Sequence, residues 1–143
     1  MPYHGPRPTL NNHEHTFDDQ QFLVSKTDVR GVITYANSLF IRLSGYTEDE
    51  LLGGAHNMVR HPDMPKAAFA DLWATVGIGK EWRGIVKNLA RDGGFYWVDA
   101  MVTPSYREGT VVGFMSVRRK PSLQQVSDAT YLYRTMRQAE GRP

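Results

Sequence analysis

The chain has 143 residues, 41% of them hydrophobic and 11% aromatic, with a formal net charge of +2; a single domain of this length buries roughly 70% of its unfolded surface without staples. It contains no cysteine, which removes disulfides, thiolate metal sites, cysteine nucleophiles and flavin–cysteine adducts. Scattered basic residues argue against a nucleic-acid partner, and no run approaches the ~20 apolar residues of a membrane helix, so this segment is not expected to insert directly.

Residues 1–19 read as a flexible polar leader, broken by Pro2, Pro6 and Pro8 and carrying His4, His13 and His15. His13-Glu14-His15 lacks a further spaced ligand and is not read as a metal centre. Residues 22–27 and 32–35 look like short strands around the turn Asp28-Val29-Arg30-Gly31, whose glycine supplies the unusual backbone angles. Asn37 is placed to cap a helix holding Leu39, Phe40 and Leu43. Thr47 and Glu50 make a capping box, with Tyr46 and Leu51 as its hydrophobic staple. Asp63 as cap and Pro65 in the first turn open a longer helix. There Phe69, Leu72, Trp73 and Val76 fall at i, i+3, i+4, i+7, and Gly77 terminates it.

Residues 82–89 and 95–103 read as strands flanking the hairpin signal Arg91-Asp92-Gly93-Gly94. Arg107-Glu108-Gly109 then turns the chain into a third strand, 110–117. Arg118-Arg119-Lys120 reads as a solvated strand end. Beyond Pro121, Ser122 and Gln125 form a second capping box, and Leu123, Val126, Ala129, Tyr133 and Met136 share one helical face. Two strands, a block of helices and three strands predict an α+β domain with an antiparallel sheet.

That order, with Tyr96-Trp97 after the hairpin and with Asp28, Gly31, Ile33, Tyr35, Asn37, Gly53 and the run Ser44-Gly45-Tyr46-Thr47-Glu48-Asp49-Glu50-Leu51, resembles the PAS fold over residues 20–120. Residues 56–69 (HNMVRHPDMPKAAF), Gly84-Ile85-Val86-Lys87-Asn88 and Tyr96-Trp97-Val98 are similar to the PAS domains of the bacterial aerotaxis receptor (Aer) family. The resemblance implies a five-stranded antiparallel sheet with short helices packed on one face. It implies non-covalent FAD, whose redox state reports respiratory or oxygen status. It further implies a cytoplasmic domain coupled through a membrane-anchored, HAMP-type signalling module to a chemotaxis histidine kinase. Residues 121–143 would then be a helical linker toward that module. The transmembrane hairpin and signalling coil of the full receptors are not in this sequence, so it is expected to be the sensor part of a longer protein. A homodimer is compatible with this reading.

A flavin pocket needs apolar walls, edge-on hydrogen bonds and accommodation for an anionic tail. Alternation along residues 82–89 puts Trp82, Gly84, Val86 and Asn88 on one face. A buried Asn88 amide would match the carbonyl and N–H groups of a flavin edge, or else bond the hairpin backbone. Arg60 is suited to grip a pyrophosphate and His61 to donate to phosphate, ribose or ring. Asp63 would orient one of them or cap the next helix. Asn37, Asn57, Trp73 and His56 are second-rank candidates, each with a plain capping or packing alternative. Tyr96, Val98 and Ala100 share a face expected to line the pocket, with at most one of Tyr96 and Trp97 pointing inward.

Two rivals remain: a haem-binding PAS gas sensor with His56 or His61 as axial ligand, and a cofactor-free interaction or dimerisation module. A light-oxygen-voltage photoreceptor is disfavoured by the missing cysteine and by Met115, placed about where that family uses glutamine. No nucleophile–base pair, metal-ligand spacing or glycine-rich phosphate loop points to an enzyme.

Overall fold

The strand signals resolve into five strands in a computed structural model describing residues 1–143. These are β1 (Leu23–Asp28), β2 (Ile33–Ala36), β3 (Trp82–Leu89), β4 (Phe95–Arg107) and β5 (Thr110–Arg119). They form one antiparallel sheet in the order β2-β1-β5-β4-β3. Helices α1 (Ser38–Ser44), α2 (Glu48–Leu51) and α3 (Lys66–Gly77), with the 3₁₀ turn His56–Val59, lie between β2 and β3, and α4 (Leu123–Ala139) follows β5. Pairing of β1 with β5 joins the two ends of the domain at the centre of the sheet. The expected α+β architecture is therefore the observed one.

Local chemistry explains most boundaries. Gly31 adopts φ +85°, while Asp28 Oδ1 accepts from Arg30 N and Val32 N, so the β1–β2 turn closes as read. Asn37 Oδ1 caps α1 by accepting from Phe40 N and also accepts from Val24 N, and its Nδ2 donates to Phe22 O. One side chain thus ties β1 to α1. Both expected capping boxes are present, at Thr47/Glu50 and Ser122/Gln125.

Two expectations about helices fail. Asp63 does not cap α3; Pro65 occupies that position and has no side-chain bond to give. The free amides of Lys66 and Ala67 instead donate to the Glu140 carboxylate at the end of α4, at 3.1 and 3.0 Å. On α4, Ala129 and Tyr133 are buried, but Leu123, expected on the same face, is 89% exposed.

Both edges of the sheet are covered, as stable sheets require. At β2, Ile33 exchanges backbone bonds with Gly53 and Gly54. At β3, His61 N donates to Lys87 O, and Tyr133 of α4 donates its hydroxyl to Ile85 O. Arg137 and Arg142 bond the carbonyls of Pro62, Asp63 and Met64, so the end of α4 clamps the loop beside β3. Residues 1–19 lie along the domain: Tyr3 N donates to Glu50 O, Asn11 N to Gly93 O, and His13 and His15 bridge the backbone of Phe95. Phe17 is buried in the core. No helix is long and apolar enough to cross a membrane.

The two α3 amides, led by Ala67, hold the Glu140 carboxyl below the ordinary carboxylate range. A lowered folded pKa contributes stability above the unfolded pKa and loses it as pH falls. Glu140→Gln is therefore expected to lower the urea midpoint at pH 7, with the difference from the parent vanishing below the carboxylate range.

Candidate functional site

Period-two alternation on the inner face of the sheet builds one wall of a cavity of about 380 Å³; the 3₁₀ turn and α3 build the other. β1 contributes Ser25 and Thr27, β3 Val86 and Asn88, β4 Val98, Ala100 and Val102, and β5 Phe114, Ser116 and Arg118. Phe69, Leu72 and Trp73 face them from α3. The lining holds three arginines, Arg30, Arg60 and Arg118, and no carboxylate. Arg30 is neutralised by Asp28 at 3.0 Å, whereas Arg60 and Arg118 form no ion pair.

Arg118 is the deepest of these cations, at 2% exposure. This overturns its reading as a solvated strand end. β5 continues to Arg119, and the register sets Arg118 between Leu23 of β1 and Ala100 of β4, in phase with Phe114 and Ser116. Its Nη2 donates to Ser25 Oγ at 2.8 Å, its guanidinium lies 4.4 Å from the Phe40 ring centre, and its Nε has no partner. Burial pulls its pKa down to about 10.

Ser25 Oγ lies 3.0 Å from His56 Nε2, and Arg118 Nη1 lies 3.5 Å from the same nitrogen. Because Arg118 donates to Ser25, the hydroxyl proton is free for His56, whose Nε2 then accepts and whose Nδ1 carries the ring proton. Burial and then the Arg118 charge push the His56 pKa down to about 3. Its ring stacks on Phe40 at 5.6 Å.

Arg60 follows the 3₁₀ turn, with its guanidinium 3.5 Å above the Phe69 ring and a buried Nε that has no partner. Burial, and then the neighbouring Arg7, lower its pKa. Asn88, 4% exposed, bridges Arg60 through the backbone, and no protein group engages its side-chain amide.

Seven of the expected site residues therefore converge on the cavity: His56, Arg60, Trp73, Asn88, Val98 and Ala100, with Asn57 at the rim. Four do not line it. His61 follows an extended Arg60, so its side chain points the opposite way; Nδ1 accepts from Asp63 N at 3.0 Å and the ring meets the Phe95 edge. Asp63 bonds Lys87 Nζ at 2.7 Å, which orders the loop outside the cavity. Asn37 is consumed by its capping bonds. Tyr96 shares the face of Val98 but lies in the packed core, with its buried hydroxyl unpartnered. Trp97 is buried on the other face, 5.8 Å from Lys87 Nζ. Met115 points away from the cavity; its neighbours Phe114 and Ser116 line it. Ser25, Ser116 and Arg118 were not foreseen, although extending the β5 alternation by one step would have found Arg118.

The two depressed histidines set a pH dependence. His61 is pushed down to about 4 by burial and Lys87. Between the ordinary histidine value near 6.5 and these lowered values, the folded chain binds fewer protons than the unfolded one. Stability is then complete well above ~6.5 and falls as pH drops toward 4, by up to about 1.4 kcal/mol per pH unit for each histidine that stays neutral only in the folded chain. Urea unfolding at pH 7 and pH 5 is expected to differ by about 2 kcal/mol from His56 alone, and His56→Gln to flatten the slope.

A family model described as the PAS fold matches residues 33–118. The aerotaxis receptor of Escherichia coli (strain K12) is 48% identical over 118 residues, which is 82% of this chain and 23% of that receptor. The nitrogen fixation regulatory protein of Klebsiella pneumoniae is 35% identical over 101 residues, 70% of this chain and 20% of that protein. The chain thus spans less than a quarter of the length of these two curated relatives. The light-state structure of the blue-light photoreceptor Aureochrome1 LOV shares the fold, with a TM-score of 0.65 at 22% identity over 84% of this chain and 92% of that one. By sequence match and by architecture, the chain belongs to the PAS family and is a PAS domain of the aerotaxis receptor family.

Proposed function

We propose that this PAS domain is a sensor that holds FAD non-covalently in its cavity and passes the flavin's redox state to the signalling module of a longer receptor. The observation that carries this reading is two guanidiniums without an ion pair, the buried Arg118 and the half-buried Arg60, each with an unpartnered Nε, in a cavity without a carboxylate. Buried charge is costly unless it is paired, so such a cavity favours an anionic ligand. The donor set fits a flavin nucleotide. Trp73, Val98, Ala100 and Phe114 supply apolar walls, Asn88 offers a donor and an acceptor to the ring edge, and Arg60 and Arg118 supply positive charge.

Bound there, a flavin supplies reversible electron uptake with a change in charge and protonation. Arg118 stabilises negative charge within its reach, more strongly for being shielded from water. The Asn88 amide can present either its oxygen or its NH₂, and leaving it mismatched costs about 1–3 kcal/mol. That is the size of a typical coupling energy between two sites. Arg60 adjoins the loop that Arg137, Glu140 and Arg142 clamp to α4, so a shift at Arg60 alters how α4 docks. In this proposal residues 20–120 form the sensor, 1–19 a leader, and 121–143 the route to a membrane-anchored HAMP-type module and a chemotaxis histidine kinase.

The structure weighs against the rivals. His56 Nε2 is already engaged by Ser25 and faces a cation, and His61 lies outside the cavity, which leaves no ready axial ligand for haem. A cofactor-free module would carry two uncompensated cations for no return. Ser25 and His56 form a hydroxyl–imidazole pair that was not foreseen, but no carboxylate orients the imidazole, and a pKa of about 3 makes it too weak a base at neutral pH.

Arg118→Met separates ligand binding from folding. Removing a buried charge that has no counter-ion is expected to stabilise the ligand-free domain, raising its midpoint in thermal or urea unfolding. The same change is expected to weaken FAD at least about tenfold in fluorescence titration. A parent chain that binds no FAD, or a variant that binds it equally well, would overturn the reading.

A further inference from the structure

A second cavity, of about 290 Å³, lies between the leader and the segment after α2. Leader residues 3–8 form one wall and residues 53–58 much of the other, and Ala55 and Asn57 line both cavities. Arg7 fixes this strap in place. Its Nη1 donates to Asn57 O at 3.0 Å and to Met58 O at 3.4 Å, and its Nη2 donates to Arg60 O. Tyr3 anchors the other end through its backbone bond to Glu50.

The charge balance here is one-sided. Arg7 has backbone carbonyls as partners and no carboxylate, and no acidic residue lines either cavity. Arg7 also bonds the backbone carbonyl of Arg60, and after burial it is the Arg7 charge that lowers the Arg60 pKa, so the two cations act on each other across the boundary between the cavities. An anion between them would relieve that repulsion. Beyond the junction, Tyr3 and Tyr46, with ring centres 5.0 Å apart, give the second cavity an aromatic wall. An apolar slot, a cationic junction and an aromatic slot, in that order, match a ligand of two flat ring systems joined by an anionic link.

We propose that the second cavity takes the adenosine end of FAD, with Arg7 and Arg60 meeting the pyrophosphate, so that the leader makes the domain selective for the dinucleotide over riboflavin. This rests on the flavin reading above and extends the site to residues that the sequence placed in a leader. Riboflavin has no pyrophosphate or adenosine and gains nothing from Arg7.

The test is fluorescence titration of the full chain and of Arg7→Gln with FAD and with riboflavin. The parent is expected to bind FAD at least about tenfold more tightly than riboflavin. Arg7→Gln should weaken FAD about tenfold, as expected for a lost charge-assisted contact, and leave riboflavin within about twofold. Arg7→Lys, which keeps the charge, should fall between. Unaltered riboflavin binding shows in the same experiment that the variant is folded. Equal weakening of both ligands, or equal affinity of the parent for both, overturns the inference while leaving the flavin reading intact. Failure of the parent to bind either flavin overturns both.

Discussion

Arg118 sits where β1, β5 and β4 meet, bonded to Ser25, stacked over Phe40 and with no counter-charge. Holding a cation there opposes the hydrophobic burial that drives the rest of the fold. The surrounding groups are arranged around this constraint. Ser25 takes one guanidinium bond, His56 is kept neutral so that it can accept rather than repel, and the carboxylates stay outside the cavity. An interior of this kind makes sense as half of a complex. In the function proposed for it, the domain gives up stability when empty and binds a negatively charged ligand without first breaking an internal ion pair.

The cavity is linked to the C-terminal helix by short covalent and hydrogen-bonded steps. Arg60 faces inward; its neighbours His61 to Met64 run along the free edge of β3 and are held there by Lys87 and by the end of α4. Glu140 completes the contact by capping α3, whose residues Phe69, Leu72 and Trp73 form the cavity's opposite wall. α3 and the loop therefore touch both the cavity and α4. Such shared contacts are the physical requirement for the proposed coupling between the cavity and α4.

Short-range chemistry was legible in the sequence. The turn at Gly31, the cap at Asn37, both capping boxes and the alternation that turns Asn88 inward depend on neighbours a few residues apart, and all are found. Failures came where a partner is distant in the chain. Asp63 looked like a helix cap because Glu140, more than seventy residues away, was invisible as the real one. Arg118 looked solvated because a charged triplet at a strand end normally is; only the register against Leu23 and Ala100 shows it to be central. His61 was grouped with Arg60 by motif, yet adjacent residues on extended backbone face opposite ways. The family resemblance identified the segment correctly without resolving which of its side chains enter the cavity.

The central claim is that Arg60 and Arg118 await an anionic flavin nucleotide. The most direct measurement is NMR of their guanidinium Nε–H signals while FAD is added to the ligand-free chain. Both nitrogens lack partners in the protein, so both signals should shift markedly and saturate at one equivalent of FAD. Signals that stay in place while FAD binds, or a chain that takes up no FAD, would contradict the account.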